Sequence, residues 1–539
     1  ESGVFFLQLN KIKLHSCMTF ASAQSQITLD DDYNVPDYRP DIVKVLKEKG
    51  ELHFDEVKAA AGAAWLKGRL VFKVLYRSDQ ENGKISCLKG EIPFQEKLNM
   101  DGVQEYDVIQ ASGEIEDLTI GVIHSRKISV RAVILLNAEE QREKDEELCV
   151  GLEEECGCEQ RYRSTKVLQL LCRKHDQCRQ KTEITLPSSK PNVQEILWKS
   201  LEIRNMDTKM GQDGVKLGGE ILVSVLYQEE EEAGRVQWYE TVIPLDCGVE
   251  CDAGAESDSI YKVKVEPVSK ELEVKPDYDG EERVLVLELV LNLDIRVWKE
   301  QEISMLEDLY SLKKELIPVC SGVTLNHISV KNDSQCRLTE QMELTEGQEK
   351  ILQICSCEGT VHLEHTELTE QGVRAEGILV AELLYITTDD QMPIGSAREI
   401  YPFEQLIEIP QQSVGKRTEL QMTEQNNRLQ TELECRINQL SAVMLDQDHV
   451  EIKAVIALDL LAFEQEEIDN ITDTKEEPLD MEQLQKRPGL VGYIAKDGDS
   501  LWNIAKENHT TVGDILRDNH RTDENLRRGE KILIVKKVE

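Results

Sequence analysis

Cys156, Cys158, Cys172, His175 and Cys178 place four thiols and one imidazole within 23 residues, donor types that zinc accepts. Their spacing matches no zinc module. A Cys-x-Cys start is uncommon, and the intervening RYRSTKVLQLL reads as ordinary secondary structure, so unlinked reduced thiols and no metal are expected. Cys247 with Cys251 and Cys355 with Cys357 are weaker candidates. His362 and His365 share the run HLEH, but on an alternating strand they would point to opposite faces. The acidic run 229–232 suits a solvated hairpin tip better than calcium, because adjacent carboxylates converge on one ion only in a shaped loop. No phosphate loop, His-Glu-x-x-His or Gly-x-Ser-x-Gly occurs, and no carboxylate or Cys-His pair is recognisable as catalytic. The expectation is a chain with no catalytic residues and no cofactor.

The elements that would carry any site must be found within a long, acidic chain. At roughly 100 to 200 residues per domain, 539 residues make several domains. With 103 Asp and Glu against 63 Lys and Arg, the net charge of -40 would repel duplex phosphate, and nucleic acid is not an expected partner. Residues 488–539 are balanced at nine basic and nine acidic, so the body carries the excess. Fourteen irregularly spaced Cys are too sparse for a disulfide scaffold and suggest reduced cytosolic thiols. No apolar run approaches the eighteen or so residues of a membrane span. The apolar run at 4–9 is short and soon followed by Lys11 and Lys13, so no secretory signal is expected there.

Three copies of one unit are visible. GRLVFKVLY from Gly68, GEILVSVLY from Gly219 and GILVAELLY from Gly377 each run eight positions from Gly to Tyr, and seventeen residues later stand Pro93, Pro244 and Pro402. Upstream, Val45-Leu46 and Ile196-Leu197 end 22 residues before the Gly, while Ile351-Leu352 ends 25 before it, which suggests a small insertion in the third copy. Downstream, ISVRAVILL, VLVLELVLNL and VEIKAVIAL correspond. Period-two alternation puts Leu70, Phe72, Val74 and Tyr76, with their counterparts, on a core face. Lys73, Ser224 and Glu382 fall on the opposite, partly wet face.

The fold class expected is mainly β: three tandem antiparallel, sandwich-like repeats and a small βααβ module. The boundaries read as an N-terminal segment 1–29, repeats at 30–145, 165–300 and 315–464, an acidic linker at 465–487 and the module at 488–539. Charged links are expected near 139–160 and 300–315, and helix in short pieces such as 41–46. The acidic linker has too little apolar content to offset ordering entropy, so the module is expected to swing.

In that module Gly498 permits a turn, Asp499 or Ser500 can cap a first helix, and Thr511 with Asp514 signals a second. Tyr493, Gly498, Asp499, Leu501, Trp502, Ile504 and Ala505, then Asn519, Leu526, Gly529 and Ile532, resemble the LysM family, with Ser500 where Thr is usual and Ala495 where Val is usual. That resemblance implies a shallow groove for N-acetylglucosamine polymers, peptidoglycan or chitin-like, between loops 498–501 and 519–525. Its candidate residues are Gly498, Asp499, Ser500, Leu501, Trp502, Ile515, Asn519 and Asn525, of which Leu501, Trp502 and Ile515 are equally readable as core.

Tandem β repeats with the PD-x-x-PD run Pro36-Asp37-Tyr38-Arg39-Pro40-Asp41, found only in the first copy, followed by LysM, resemble the SPOCS-domain spore-coat morphogenetic proteins of clostridia. The resemblance implies a scaffold in the mother-cell cytoplasm at the forespore surface, its LysM domain docking on a coat-morphogenetic ATPase. A peptidoglycan-binding wall or cortex protein is the first alternative, and a glycan hydrolase with a LysM targeting arm the second.

Overall fold

A computed structural model of the chain describes all residues except 1–6, 80–83, 154–156, 212, 231–234, 252–258, 370, 390–391, 410–428, 481, 483–487 and 536–539. The first repeat is six strands, β1 (Leu9–Asn34), β2 (Ile42–Ala60), β3 (Ala63–Ser78), β4 (Ile85–Asn99), β5 (Ile109–His124) and β6 (Lys127–Leu152). The second runs β7 (Cys158–Thr185), β8 (Val193–Gly211), β9 (Gly214–Glu229), β10 (Val236–Glu250), β11 (Ile260–Pro276) and β12 (Glu282–Ser311). The third runs β13 (Glu315–Glu343), β14 (Ile351–Leu368), β15 (Gly372–Thr387), β16 (Ile394–Glu408), β17 (Leu429–Met444) and β18 (His449–Glu477). Every repeat pairs the same way, as two three-stranded antiparallel sheets, β1-β6-β5 with β2-β3-β4 and their counterparts. Mainly β structure in three repeats is thus what the alternation specifies.

The Gly-to-Tyr strands β3, β9 and β15 are central, and their twelve expected core residues are at most 1% exposed. The glycines answer a close approach: a Cβ on Gly68 would lie 2.4 Å from the His53 carbonyl and 2.7 Å from the Phe94 ring, and one on Gly377 2.3 Å from the His362 carbonyl. Each repeated Tyr fills core and, in two copies, also ties down a loop. Tyr76 Oη donates to the Pro40 carbonyl at 3.1 Å and Tyr227 Oη to the Pro191 carbonyl at 3.2 Å.

That loop explains the PD-x-x-PD run. Arg126, in the β5–β6 hairpin, donates to the carbonyls of Arg39, Val35 and Pro36 and pairs with Asp41 at 3.0 Å. Arg283 does the same in the second repeat, donating to the carbonyls of Pro187 and Lys190 and to Asn192 Oδ1. The run is therefore not confined to the first copy: Pro187, Pro191 and Asn192 are its degenerate second instance, recognisable once the clasping Arg is seen.

Register corrects two further expectations. Val45, Ile196 and Ile354 pair with the three Tyr, and a bulge follows each, so Ile354-Cys355 is the counterpart of Val45-Leu46 and also ends 22 residues before its Gly. The third copy has no insertion there; Ile351 corresponds instead to Ile42 and Val193, and the Cys at the bulge hid the match. The helix expected at 41–46 is the start of β2, where β-branched Ile42 and Val45 pair with Ser78 and Tyr76 and sheet pairing outweighs local preference.

The repeats converge on one another. Leu75, Leu226 and Leu384, equivalent residues just before the Tyr, form one buried cluster with Ile85, Leu197, Cys355 and Ile394. The strand faces expected to be partly wet are turned into this junction. There Glu358, from the third repeat, accepts from Lys49 (2.7 Å) and from Trp198 Nε1 (2.9 Å), and pairs with Lys47 at 3.3 Å; Lys47 also pairs with Glu382 at 3.0 Å. Burial pushes the Glu358 carboxyl up, but Lys47 and Lys49 outweigh it and hold it well below its ordinary range.

Within the expected links, residues 139–152, 158–160 and 300–311 are strand, and so is the expected linker as far as residue 477. β1 and β6, β7 and β12, and β13 and β18 extend past their sandwiches as paired legs, with only 153–157 and 312–314 between repeats. Leu14, Leu148, Val167, Met305, Leu325 and Ile468 bury one another across all three pairs. Most of segment 1–29 is the first of these legs, and the repeats span 9–152, 158–311 and 315–477. A two-stranded ribbon has too few apolar residues to fold alone. Three ribbons together supply the core that none shows by itself.

Two outcomes test this architecture. Val225→Asp places a carboxylate at a position 1% exposed, and the second repeat is expected to lose its cooperative thermal transition in circular dichroism, since burying an unpaired charge costs several of the about 5–15 kcal/mol that hold a domain. Glu48 faces the junction, and burial, then Glu382, raises its pKa from 4.5 to about 7. Its contribution is present below the unfolded value and lost as pH rises from about 4.5 to about 7, then constant. Glu48→Gln should therefore leave urea stability unchanged near pH 4 and raise it by about 1–3 kcal/mol near pH 8.

Candidate functional site

The C-terminal module is β19 (Leu490–Ile494), α1 (Leu501–Glu507), α2 (Val512–Asp518) and β20 (Lys531–Val535), with β19 and β20 paired antiparallel. Ser500 is the cap of α1, its Oγ accepting from Asn503 N at 3.2 Å, and Thr511 caps α2 through Asp514 N at 3.1 Å. Gly498, at φ 89°, makes the turn before α1. Leu501, Ile504, Ala505, Ile515, Ile532 and Ile534 form the core of this small module.

The eight candidate groove residues divide by what they touch. Leu501 and Ile515 are buried in that core. Asp499 accepts from Tyr493 Oη (2.8 Å) and Lys496 N (2.7 Å), which lowers its pKa, and with Ser500 it fixes the first loop. Asn519 exchanges two 2.7 Å bonds with the backbone of Leu533, joining α2 to β20. Gly498 and Asn525 lie open to solvent, one in each loop. The loops 498–501 and 519–525 thus have a structural frame with a small exposed rim.

Trp502 has a different neighbour. Its ring meets Tyr310 of β12 edge to face at 4.9 Å, and its Nε1 donates to Asp308 Oδ2 at 2.7 Å. Lys506 Nζ reaches the other oxygen of the same carboxylate at 2.6 Å, Tyr310 Oη donates to the Thr510 carbonyl at 2.9 Å, and Arg161 lies over the Trp502 ring at 5.5 Å. Burial and the nearby Glu159, Asp308 and Asp514 carboxylates push the Tyr310 phenol up. The module is therefore seated on the second repeat, where the acidic stretch had suggested one that swings. Asp308 and Tyr310 lie in a charged run whose spacing carries no signal, and only their partner, the outward edge of Trp502, could have pointed to them.

The chemistry sought in the body does not assemble. Cys156 lies outside the described residues; Cys158 and Cys172 stand far apart on β7, His175 faces Asp294, and Cys178 is bonded to Cys247. That disulfide corrects the expectation of reduced thiols for this one pair, because β7 and β10 are neighbours only in space. His362 contacts Glu114 of the first repeat and His365 is exposed. Among the described residues no group of three or more His, Cys, Asp or Glu could hold a metal. Clefts lie between repeats, one of about 360 Å³ lined by Glu48, Lys49, Arg204, Lys270, His362 and Arg398. Of its carboxylates, Glu202 pairs with Arg204, Glu358 with Lys47 and Lys49, and Glu382 with Lys47 and Arg398. No helix among the described residues is long and apolar enough to cross a membrane.

The seat makes a testable contact. Asp308→Ala leaves Trp502 Nε1 and Lys506 without their acceptor, a loss of about 1–3 kcal/mol. Trp502 fluorescence is expected to shift to the red and amides of 501–510 to exchange faster, while the thermal transition of the three repeats stays in place.

Comparison with known families follows this anatomy. The SipL, SPOCS domain family model matches residues 41–123, 192–275 and 350–445, and the LysM domain model matches 493–535. Each SPOCS match covers the second to fifth strands of a repeat and leaves out the two long outer strands that form the legs. Both models describe non-catalytic domains. No curated protein and no solved structure matches the chain. SPOCS domains tie the chain to the spore coat, and a LysM domain is a binding module for glycan or protein. The chain carries three SipL-type SPOCS domains followed by a C-terminal LysM domain.

Proposed function

We propose that this protein is a non-enzymatic scaffold of spore-coat assembly, whose LysM domain docks on a coat-morphogenetic ATPase at the forespore surface, in the mother-cell cytoplasm. The observation that carries the reading is the union, in one chain, of three SPOCS domains with a LysM domain seated by its α1 face and open at both loops. The body supplies one set of contacts and the LysM loops another. Two sites on one frame raise effective concentration, so individually weak contacts hold a shell together.

The rim of the second loop favours a protein partner. His520, Asp523, Glu524, Arg527 and Arg528 are exposed around Asn525. Mixed charge of this kind complements a protein surface and has little to pair with on a neutral N-acetylglucosamine polymer. Leu501, buried in the module core, is unsuitable for testing the loop, since its substitution would unfold the domain. Asp497, exposed immediately before the first loop, and Asn525, exposed in the second, are suitable.

The test uses the full chain in titrations against the purified ATPase, chitin oligomers and peptidoglycan. Binding to the ATPase is expected, weakened about five-fold by Asp497→Lys or Asn525→Lys alone, a rim effect of about 1 kcal/mol, with circular dichroism unchanged. Tight glycan binding without ATPase binding would instead establish the wall-protein alternative.

A further inference from the structure

Four of the cysteines that failed as a metal site, Cys172, Cys178, Cys247 and Cys251, lie along one seam. In the second repeat, edge strand β7 of one sheet runs beside edge strand β10 of the other. Gln180 Nε2 donates to the Pro244 carbonyl at 2.8 Å; next comes the Cys178–Cys247 disulfide; then Lys174 Nζ donates to the Glu250 carbonyl at 2.6 Å. One position further, the sulfurs of Cys172 and Cys251 lie 3.1 Å apart, unbonded but closer than ordinary sulfur contact. Cys251 is buried in the core of this repeat and Cys172 packs against it. The corresponding seams of the other repeats are held by hydrogen bonds, Ser25 to Glu96 at 2.8 Å and Asn332 to the Glu408 carbonyl at 3.1 Å.

We infer that Cys172 and Cys251 are a second cystine site, which an oxidant closes beside Cys178–Cys247 to make a double clasp between the two sheets of the second repeat. The co-reactant is a low-molecular-weight disulfide of the oxidised-glutathione class. The thiolate of one cysteine attacks that disulfide, whose S–S bond breaks and releases one small thiolate. The thiolate of the other attacks the mixed disulfide, forms the Cys172–Cys251 bond and releases the second. The protein loses two electrons to the reagent, which leaves as two thiols, and the two cysteine protons pass to solvent or to those leaving thiolates. The two sulfurs already touch, and have only about 1 Å left to close before they are at bonding distance.

The arrangement makes the clasp redundant. Cys178 and Cys247 are 69 residues apart, and Cys172 and Cys251 are 79 apart. Chain confinement varies only with the logarithm of loop length, so either cystine alone restrains the unfolded repeat about as well as the other. Closing the seam therefore reports exposure to an oxidant of that class.

Purified full-length protein, treated with oxidised glutathione, alkylated and digested without reductant, is expected to yield the Cys172 peptide joined to the Cys251 peptide, and Cys251→Ser to abolish that product. In a Cys178→Ser, Cys247→Ser background, oxidation should still form the link and raise the melting temperature of the second repeat by about 5 °C, a shift that adding Cys251→Ser removes. Recovery of Cys172 and Cys251 as alkylated thiols or as separate glutathione adducts, with Cys178–Cys247 formed, would overturn the inference. So would a double variant that folds yet gains no link and no shift.

Discussion

Each repeat leaves apolar surface uncovered in two places, the outer face of its middle sheet around Leu75, Leu226 or Leu384 and the paired legs that carry its ends, and the other two repeats cover both. Mutual cover is the constraint on which the rest depends. It explains why equivalent residues of three copies meet at one cluster, why the legs persist as strands through heavily charged sequence, and why so little chain separates the repeats. Asn470, fully buried on β18, shows how closely the legs are fitted: it accepts from Cys149 N at 2.9 Å and donates to the Glu147 carbonyl at 2.8 Å on β6 of the first repeat. Arg296 and Lys262 likewise grip Glu432 across the second and third repeats, the former with both of its terminal nitrogens.

Equivalence of fold does not bring equivalence of side chains where the copies meet. At the position following the bulge, Lys47, Trp198 and Ser356 are counterparts, and Lys49, Ser200 and Glu358 are another such set. Three identical charges at a shared axis would repel in a medium that screens poorly. Different residues let one carboxylate be met by two ammonium groups and an indole N–H, a geometry that identical copies could not form. The price of three copies closing on one another is that each must diverge at the contact.

The same economy places the LysM domain. A fifty-residue module has one small core, and Trp502 extends it outward onto Tyr310, so the seat is continuous with the fold of the module. Seating by α1 leaves the loops at 498–501 and 519–525 facing solvent, which suits a binding module carried on a frame. The family match stops short of the legs, and these are the parts that determine how three domains become one body.

Strand, repeat and module were legible in the residues alone because they rest on local periodicity: alternation buried Leu70, Val225 and Leu383 as expected, and Ser500 and Thr511 cap their helices as their spacing specifies. Counterparts defined by type alone were misread where a residue changed, as at Cys355, or where a clasping partner lay far away, as for Pro187 and Arg283. The legs, the seat of Trp502 on Asp308 and the meeting of Cys172 with Cys251 were decided by tertiary structure. Each joins segments about 80 to 320 residues apart, and no period within one strand encodes which distant strand will lie beside it.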